Sequence, residues 1–79
     1  MAVEVRLFAT LRDYYPPDTV DGVYKYNPQG EETVRELAER LELPFVQIHL
    51  IMINGIQGNL DHKIKDGDRI GFFPPVGGG

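Results

Sequence analysis

Few side chains in this 79-residue sequence are equipped for chemistry. It has no cysteine and no serine, so it offers no thiolate nucleophile, disulfide, thiolate metal site or serine triad. The two histidines, His49 and His62, are far apart in sequence, and no carboxylate spacing completes a metal site around either. Asp61-His62 has the form of a catalytic pair but no nucleophile to activate. Asp66 and Asp68 flank Gly67, where short polar side chains bond the backbone of a turn. Gly30, Gly55 and Gly67 lack the spacing of a phosphate loop, so the chain is not expected to bind a nucleotide itself. What remains is the last hexapeptide, Pro74-Pro75-Val76-Gly77-Gly78-Gly79.

Two adjacent prolines hold a chain extended and give a sheet no donor, so the last strand is expected to end there. Glycine has no Cβ and accepts backbone angles that other residues refuse. Gly77, Gly78 and Gly79 could therefore thread a narrow channel and carry a terminal carboxylate to chemistry in another protein. Six residues at ~3.3–3.6 Å each reach about 20 Å from the body. A terminal carboxylate, with a pKa of ~3.3–3.7, is ionised at neutral pH and is a poor electrophile. It needs activation, most simply as an acyl-adenylate made from ATP, before a nucleophile can displace AMP. The alternative reading of the same residues is an inert, frayed terminus.

A body has to present those residues. The length allows one domain with a thin core, and 42% apolar with 25% charged residues is a folding composition. The net charge of −4, with no basic run, disfavours nucleic acid and anionic membrane surfaces as partners. No apolar run approaches the ~20 residues of a membrane span, and no signal peptide is visible, so a cytoplasmic protein is expected.

Val3, Val5 and Leu7 alternate with Glu4 and Arg6, which predicts a strand over residues 3–9. A loop over 10–18 holds Pro16-Pro17, and a second strand is expected over 20–27. Thr33 and Glu36 form a capping-box pattern ahead of a stripe of Val34, Leu37, Ala38 and Leu41. That predicts a helix over 34–42, stopped by Pro44, with Glu36 and Arg40 paired one turn apart. Glu31, Glu32, Glu36, Glu39 and Glu42 read as a solvated acidic face. Strands over 49–53 and 56–57 flank the hairpin signal Asn54-Gly55; 59–65 is irregular, and 69–73 is the last strand. One helix on one face of a small mixed sheet is an α+β architecture, and this element order is that of the β-grasp, ubiquitin-like fold. Residues 1–73 would form the domain and 74–79 its tail.

Alternation puts Phe8 and Phe73 on the face away from the helix, on neighbouring strands, with Ile51 or Met52 beside them. Either the long loop covers the two rings, or they form an exposed patch that docks partners at the root of the tail.

The run Asp66-Gly67-Asp68-Arg69-Ile70-Gly71-Phe72-Phe73-Pro74-Pro75-Val76-Gly77-Gly78-Gly79 resembles the C-terminus of the molybdopterin synthase small subunits, within the ubiquitin-like sulfur-carrier family. Val5-Arg6-Leu7-Phe8-Ala9-Thr10-Leu11-Arg12, Asn54-Gly55 and Leu60-Asp61-His62 are similar to the same family, so the resemblance spans nearly the whole chain. It implies a sulfur carrier without catalysis or a bound cofactor of its own. A ubiquitin-activating-type partner would use ATP to adenylate Gly79, which becomes a thiocarboxylate. The synthase large subunit would then receive the tail, with Gly77 and Gly78 threading and Phe8, Phe73, Pro74, Pro75 and Val76 binding partners. The sulfur would enter the pterin dithiolene that holds molybdenum or tungsten. Other roles within reach are a carrier for thiamine thiazole synthesis, a ubiquitin-like protein modifier, or a plain β-grasp interaction domain.

Overall fold

Alternation in the first strand sets the two sides of the sheet. In β1 (Val3–Leu7), Val3, Val5 and Leu7 are buried, and Glu4 and Arg6 lie on the opposite face. The computed structural model describes residues 2–75. β1 pairs antiparallel with β2 (Tyr24–Tyr26) and parallel with β5 (Arg69–Phe73). β3 (Leu50–Ile53) pairs antiparallel with β5 and with β4 (Ile56–Gly58). The sheet order is β2-β1-β5-β3-β4. The helix α1 (Val34–Arg40) contributes Val34, Leu37 and Ala38 to the core, which also takes Ile51, Ile53, Ile70 and Phe72 from the sheet. This is the expected α+β, β-grasp arrangement.

The start of α1 is tied down twice. The Thr33 hydroxyl accepts from the Glu36 N–H at 3.3 Å, and Glu36 Oε1 accepts from the Thr33 N–H at 3.0 Å. The Val34 and Arg35 N–H groups donate to the carbonyls of His62 and Leu60, so residues 60–64 run beside the helix entry. Orphan donors of the first turn are thereby satisfied.

Several boundaries differ from expectation, each for a local reason. β1 stops at Leu7 rather than residue 9, because Ala9 adopts φ 51° and turns the chain. Most of the expected 10–18 loop is a 3-10 helix, Ala9–Tyr14, that buries Leu11 completely. The second strand begins only at Tyr24, because Asp21 and Gly22, both at positive φ, close a tight turn between Val20 and Val23. The helix ends at Arg40, not 42. Glu42 takes a left-handed φ of 57°, and the Leu43 N–H closes back on the Ala38 carbonyl in a Schellman-type stop. A second 3-10 turn, Phe45–Gln47, follows, and β3 begins at Leu50 instead of His49. β4 runs one residue further than expected, to Gly58.

Candidate functional site

Phe72 and Phe73 point to opposite sides of β5, Phe72 into the core and Phe73 outward. Phe8 follows β1 and stays attached to it, its N–H donating to the Phe72 carbonyl at 3.2 Å. The Phe8 and Phe73 rings stack with centroids 4.1 Å apart and planes within 5°. Gly71 lies beneath them. A Cβ on Gly71 would stand 3.2 Å from Phe8 Cε2 and 3.3 Å from Phe73 Cε1, so the absence of a side chain there leaves the rings their room. Register settles the third apolar neighbour: Met52 lies opposite Gly71 and Leu50 opposite Phe73, whereas Ile51 lies opposite the buried Phe72.

The long loop does not cover this pair, since Phe8 is 37% exposed. The Tyr15 hydroxyl accepts from the Leu7 N–H at 2.8 Å and donates to the Gly22 carbonyl. It replaces the strand partner that β1 lacks beyond Tyr24, and it pins the loop on the β2 side of the sheet. Two surface grooves meet at the aromatic pair. One is lined by Phe8, Ala9, His49, Leu50 and Phe73 together with Pro74 and Pro75. The other runs along Arg6, Met52, Arg69 and Gly71. The structure thus brings together Phe8, Phe73, Pro74 and Pro75. Val76, Gly77, Gly78 and Gly79 lie outside the described residues.

The remaining polar groups are structural in their contacts. Asp61 does not meet His62 but pairs with Arg35 Nη2 at 3.0 Å. His62 Nε2 lies 3.1 Å from Asp68 Oδ2, which also accepts from the Lys65 N–H at 2.9 Å. Asp68 Oδ1 accepts from Asn54 Nδ2 at 2.9 Å, linking the hairpin turn to the turn before β5. Burial pushes the Asp68 carboxyl up, but these donors and His62 outweigh it and hold it below the usual range.

Glu32 corrects the reading of a uniformly solvated acidic face, for it is 4% exposed. Its carboxylate accepts from the Tyr26 hydroxyl, from the Gln29 N–H at 2.7 Å and from Arg40 Nε at 3.2 Å. Arg40 therefore pairs with Glu32 and not with Glu36, whose carboxylate is engaged by the helix cap. Burial opposes ionisation of Glu32, yet the bonds from Tyr26 and Gln29 and the charge of Arg40 prevail, and its pKa is lowered. Burial, then the bond to Glu32, raises that of Tyr26.

Among the described residues no helix is long and apolar enough to cross a membrane. No group of three or more His, Asp or Glu residues there could hold a metal ion.

The profile of the Mut7-C ubiquitin family matches residues 1–77. A chain in the complex of subunits 1 and 2 of the molybdopterin-converting factor from Helicobacter pylori is similar at 29% identity, with full coverage of both chains and a TM-score of 0.60. A protein described as molybdopterin converting factor subunit 1 from Pyrococcus furiosus is 26% identical. The match covers 95% of this chain and 98% of that one, at a TM-score of 0.70. Small archaeal modifier protein 1 of Haloferax volcanii shares the fold at 22% identity, a TM-score of 0.71 and the same coverage, 95% and 98%. No curated protein matches the sequence.

Proposed function

The chain belongs to the Mut7-C ubiquitin family, and from that premise we propose that it is a sulfur carrier whose reactive atom sits on its own terminal carbonyl. It would act as the small subunit of a molybdopterin synthase. The supporting observation is the continuity of the Phe8–Phe73 stack with the groove that holds Pro74 and Pro75. A partner seated on the rings would hold the body and receive the segment leading to Gly79 in a single docking event.

The chemistry then belongs to partners, and this chain is not an enzyme. An adenylating protein of the ubiquitin-activating type supplies ATP. A carboxylate oxygen of Gly79 attacks the α-phosphorus, and pyrophosphate leaves. A sulfide-level nucleophile then expels AMP and leaves a thiocarboxylate. Gly77 and Gly78 carry no side chains to obstruct entry into the synthase large subunit, where the sulfur is given up to the pterin. The Helicobacter pylori complex of subunits 1 and 2 supports a large-subunit partner of this kind.

Mass spectrometry of the protein from its native host tests the reading. The expected result is a C-terminal peptide heavier by the exchange of one oxygen for sulfur. Appending a bulky residue after Gly79 should abolish that species and leave the thermal melt unchanged. Branched peptides joining Gly79 to lysine would replace the carrier reading with that of a protein modifier. If neither species is found and the extended chain still supports cofactor synthesis, the carrier reading is wrong.

A further inference from the structure

The sheet has two edge strands, and their sequences treat the edge differently. β2 carries Lys25 at its centre, and a charged side chain of that kind discourages further pairing. β4, the opposite edge, reads Ile56-Gln57-Gly58, with no charge and no proline. The hairpin fixes which of its backbone groups are open. Asn54 and Gly55 both take positive φ, 54° and 82°, in a two-residue turn. The Asn54 N–H donates to the Arg69 carbonyl on the β5 side. Backbone groups alternate along a strand, so Ile53 and Ile51 bond the other way, to Ile56 and Gly58 of β4. Gln57, opposite Met52, therefore turns its N–H and carbonyl away from β3 and out of the sheet.

The side chains around Gln57 form a knob and a hole. Ile56 stands opposite Ile53, on the helix side of the sheet, yet is 72% exposed. Gly58 is bare, and a Cβ there would collide with Ile53 Cδ1, so Ile53 extends over the β4 backbone. The groove beyond it is lined by Phe45, Ile48, Ile51, Gly58 and Leu60. Its single guanidinium, Arg35, is held by its single carboxylate, Asp61, at 3.0 Å, so it presents no uncompensated pair charge to a neighbour.

We propose that β4 pairs antiparallel with β4 of a second copy of this chain, about a two-fold axis through Gln57. The two Gln57 residues exchange backbone hydrogen bonds, and each Ile56 lies against Gly58 of the other copy, at the mouth of its groove. The pattern is self-complementary: knob and hole sit one residue either side of the outward-facing position, so one rotation satisfies both. The axis closes the assembly at two copies. A three-residue edge buries less than the ~1,200 Å² of a standard interface, so the dissociation constant should be about 0.1–1 mM. The axis runs perpendicular to the joined sheets, which places both Phe8–Phe73 stacks on the same side. The inference goes beyond the carrier reading and does not rest on it.

The test is a dilution series of the isotope-labelled full chain, followed by nuclear magnetic resonance across that range of concentration. The Ile56, Gln57 and Gly58 amides should shift together as the concentration rises. In a mixture of labelled and unlabelled chains, filtered Overhauser contacts should join the Ile56 methyls of one copy to the Gly58 α-protons of the other. Ile56→Lys and Gln57→Pro should each weaken association by about tenfold. Both changes are at exposed positions, and the Gln57 N–H serves no partner within the sheet, so melting temperature checks that each variant folds. Amides that do not respond to concentration overturn the proposal and leave the β4 edge to a strand of another protein. Shifts confined to Phe8, Gly71 and Phe73 overturn it by placing the contact between copies on the aromatic face. Filtered contacts in another register, or folded variants that associate as the parent does, overturn it as well. A thiocarboxylate found or missing at Gly79 has no bearing on any of these results, so the two readings fail separately.

Discussion

Phe8 and Phe73, 65 positions apart in sequence, stack at 4.1 Å across the bare backbone of Gly71. This contact joins the end of the first strand to the end of the last, directly before Pro74. It is an outward-facing contact, and Phe8 keeps 37% of its surface open to solvent. An offset or stacked aromatic pair adds about 0.5–1.5 kcal/mol beyond its area burial, which is little for two large side chains left in part to water.

Phe73→Ala should therefore separate stability from docking. Loss of the ring should cost about 1–2 kcal/mol, lowering the melting temperature by about 4–8 °C per kcal/mol in a domain of this size. Affinity for the host's adenylating protein should fall by more than about tenfold, as for an aromatic anchor. Calorimetry gives the first number and titration of the purified pair the second. A large melting loss with binding unchanged would return Phe73 to a purely structural role.

Gly71→Ala tests the seat beneath the rings. The added methyl would meet Phe8 Cε2 at 3.2 Å and Phe73 Cε1 at 3.3 Å, tighter than ordinary contact. Both rings face outward and can lift, so the stability cost should stay within about 1 kcal/mol. The stack should open, and the ring-current shifts of the two side chains should relax toward free values. Unchanged shifts would show that the pair does not depend on glycine at that position.

The local signals were legible, and so was the neighbouring of Phe8 and Phe73 that the β-grasp order implies; exact register and converging side chains were not. The Thr33–Glu36 cap, the Asn54-Gly55 turn and the inward and outward choice of Phe72 and Phe73 follow from patterns a few residues long. The choice between Ile51 and Met52 needed the pairing of β3 with β5, a register set by contacts that sequence spacing does not encode. Glu32 was hidden for a related reason. It reads as one more acid in a run, and its burial arises only when Tyr26 from β2 and Arg40 from α1 converge on it. A Tyr, a Glu and an Arg spread over fifteen residues carry no periodic mark. Leu11 sits ahead of Pro16-Pro17, whose loop signal hides the 3-10 helix that buries it.

Glu32→Gln should be among the costlier polar substitutions. The amide keeps one acceptor but turns a donor toward Tyr26, Gln29 or Arg40, each of which already donates. Leaving a buried partner unsatisfied costs about 1–3 kcal/mol. Arg40→Gln should cost less, under about 1 kcal/mol, because Arg40 is half exposed and the carboxylate keeps its other two donors. Urea midpoints of the two variants give the comparison, and the reverse order would refute this account of the cluster.

The same cluster fixes how stability should vary with pH. Glu32 and Asp68 both have lowered pKa values in the folded chain: burial works against each, but donated hydrogen bonds to both, the Arg40 charge beside Glu32 and the His62 ring beside Asp68 outweigh it. Unfolding restores ordinary carboxylates, near ~4, which bind protons more readily than the folded ones. Their stabilisation is therefore complete at neutral pH and is lost as the pH falls below that range toward the lowered folded values. Tyr26 has the opposite sign. Burial, then its bond to Glu32, raises its pKa, so its contribution is complete below ~10 and lost as the pH climbs past it. The melting temperature should thus form a plateau across neutral pH with an acid limb and an alkaline limb. Glu32→Gln should flatten the acid limb and leave the part owed to Asp68, whereas Tyr26→Phe should remove the tyrosine's share of the alkaline limb. Melting curves with the same acid slope for Glu32→Gln and the parent chain would show that Glu32 is not ionised in the fold.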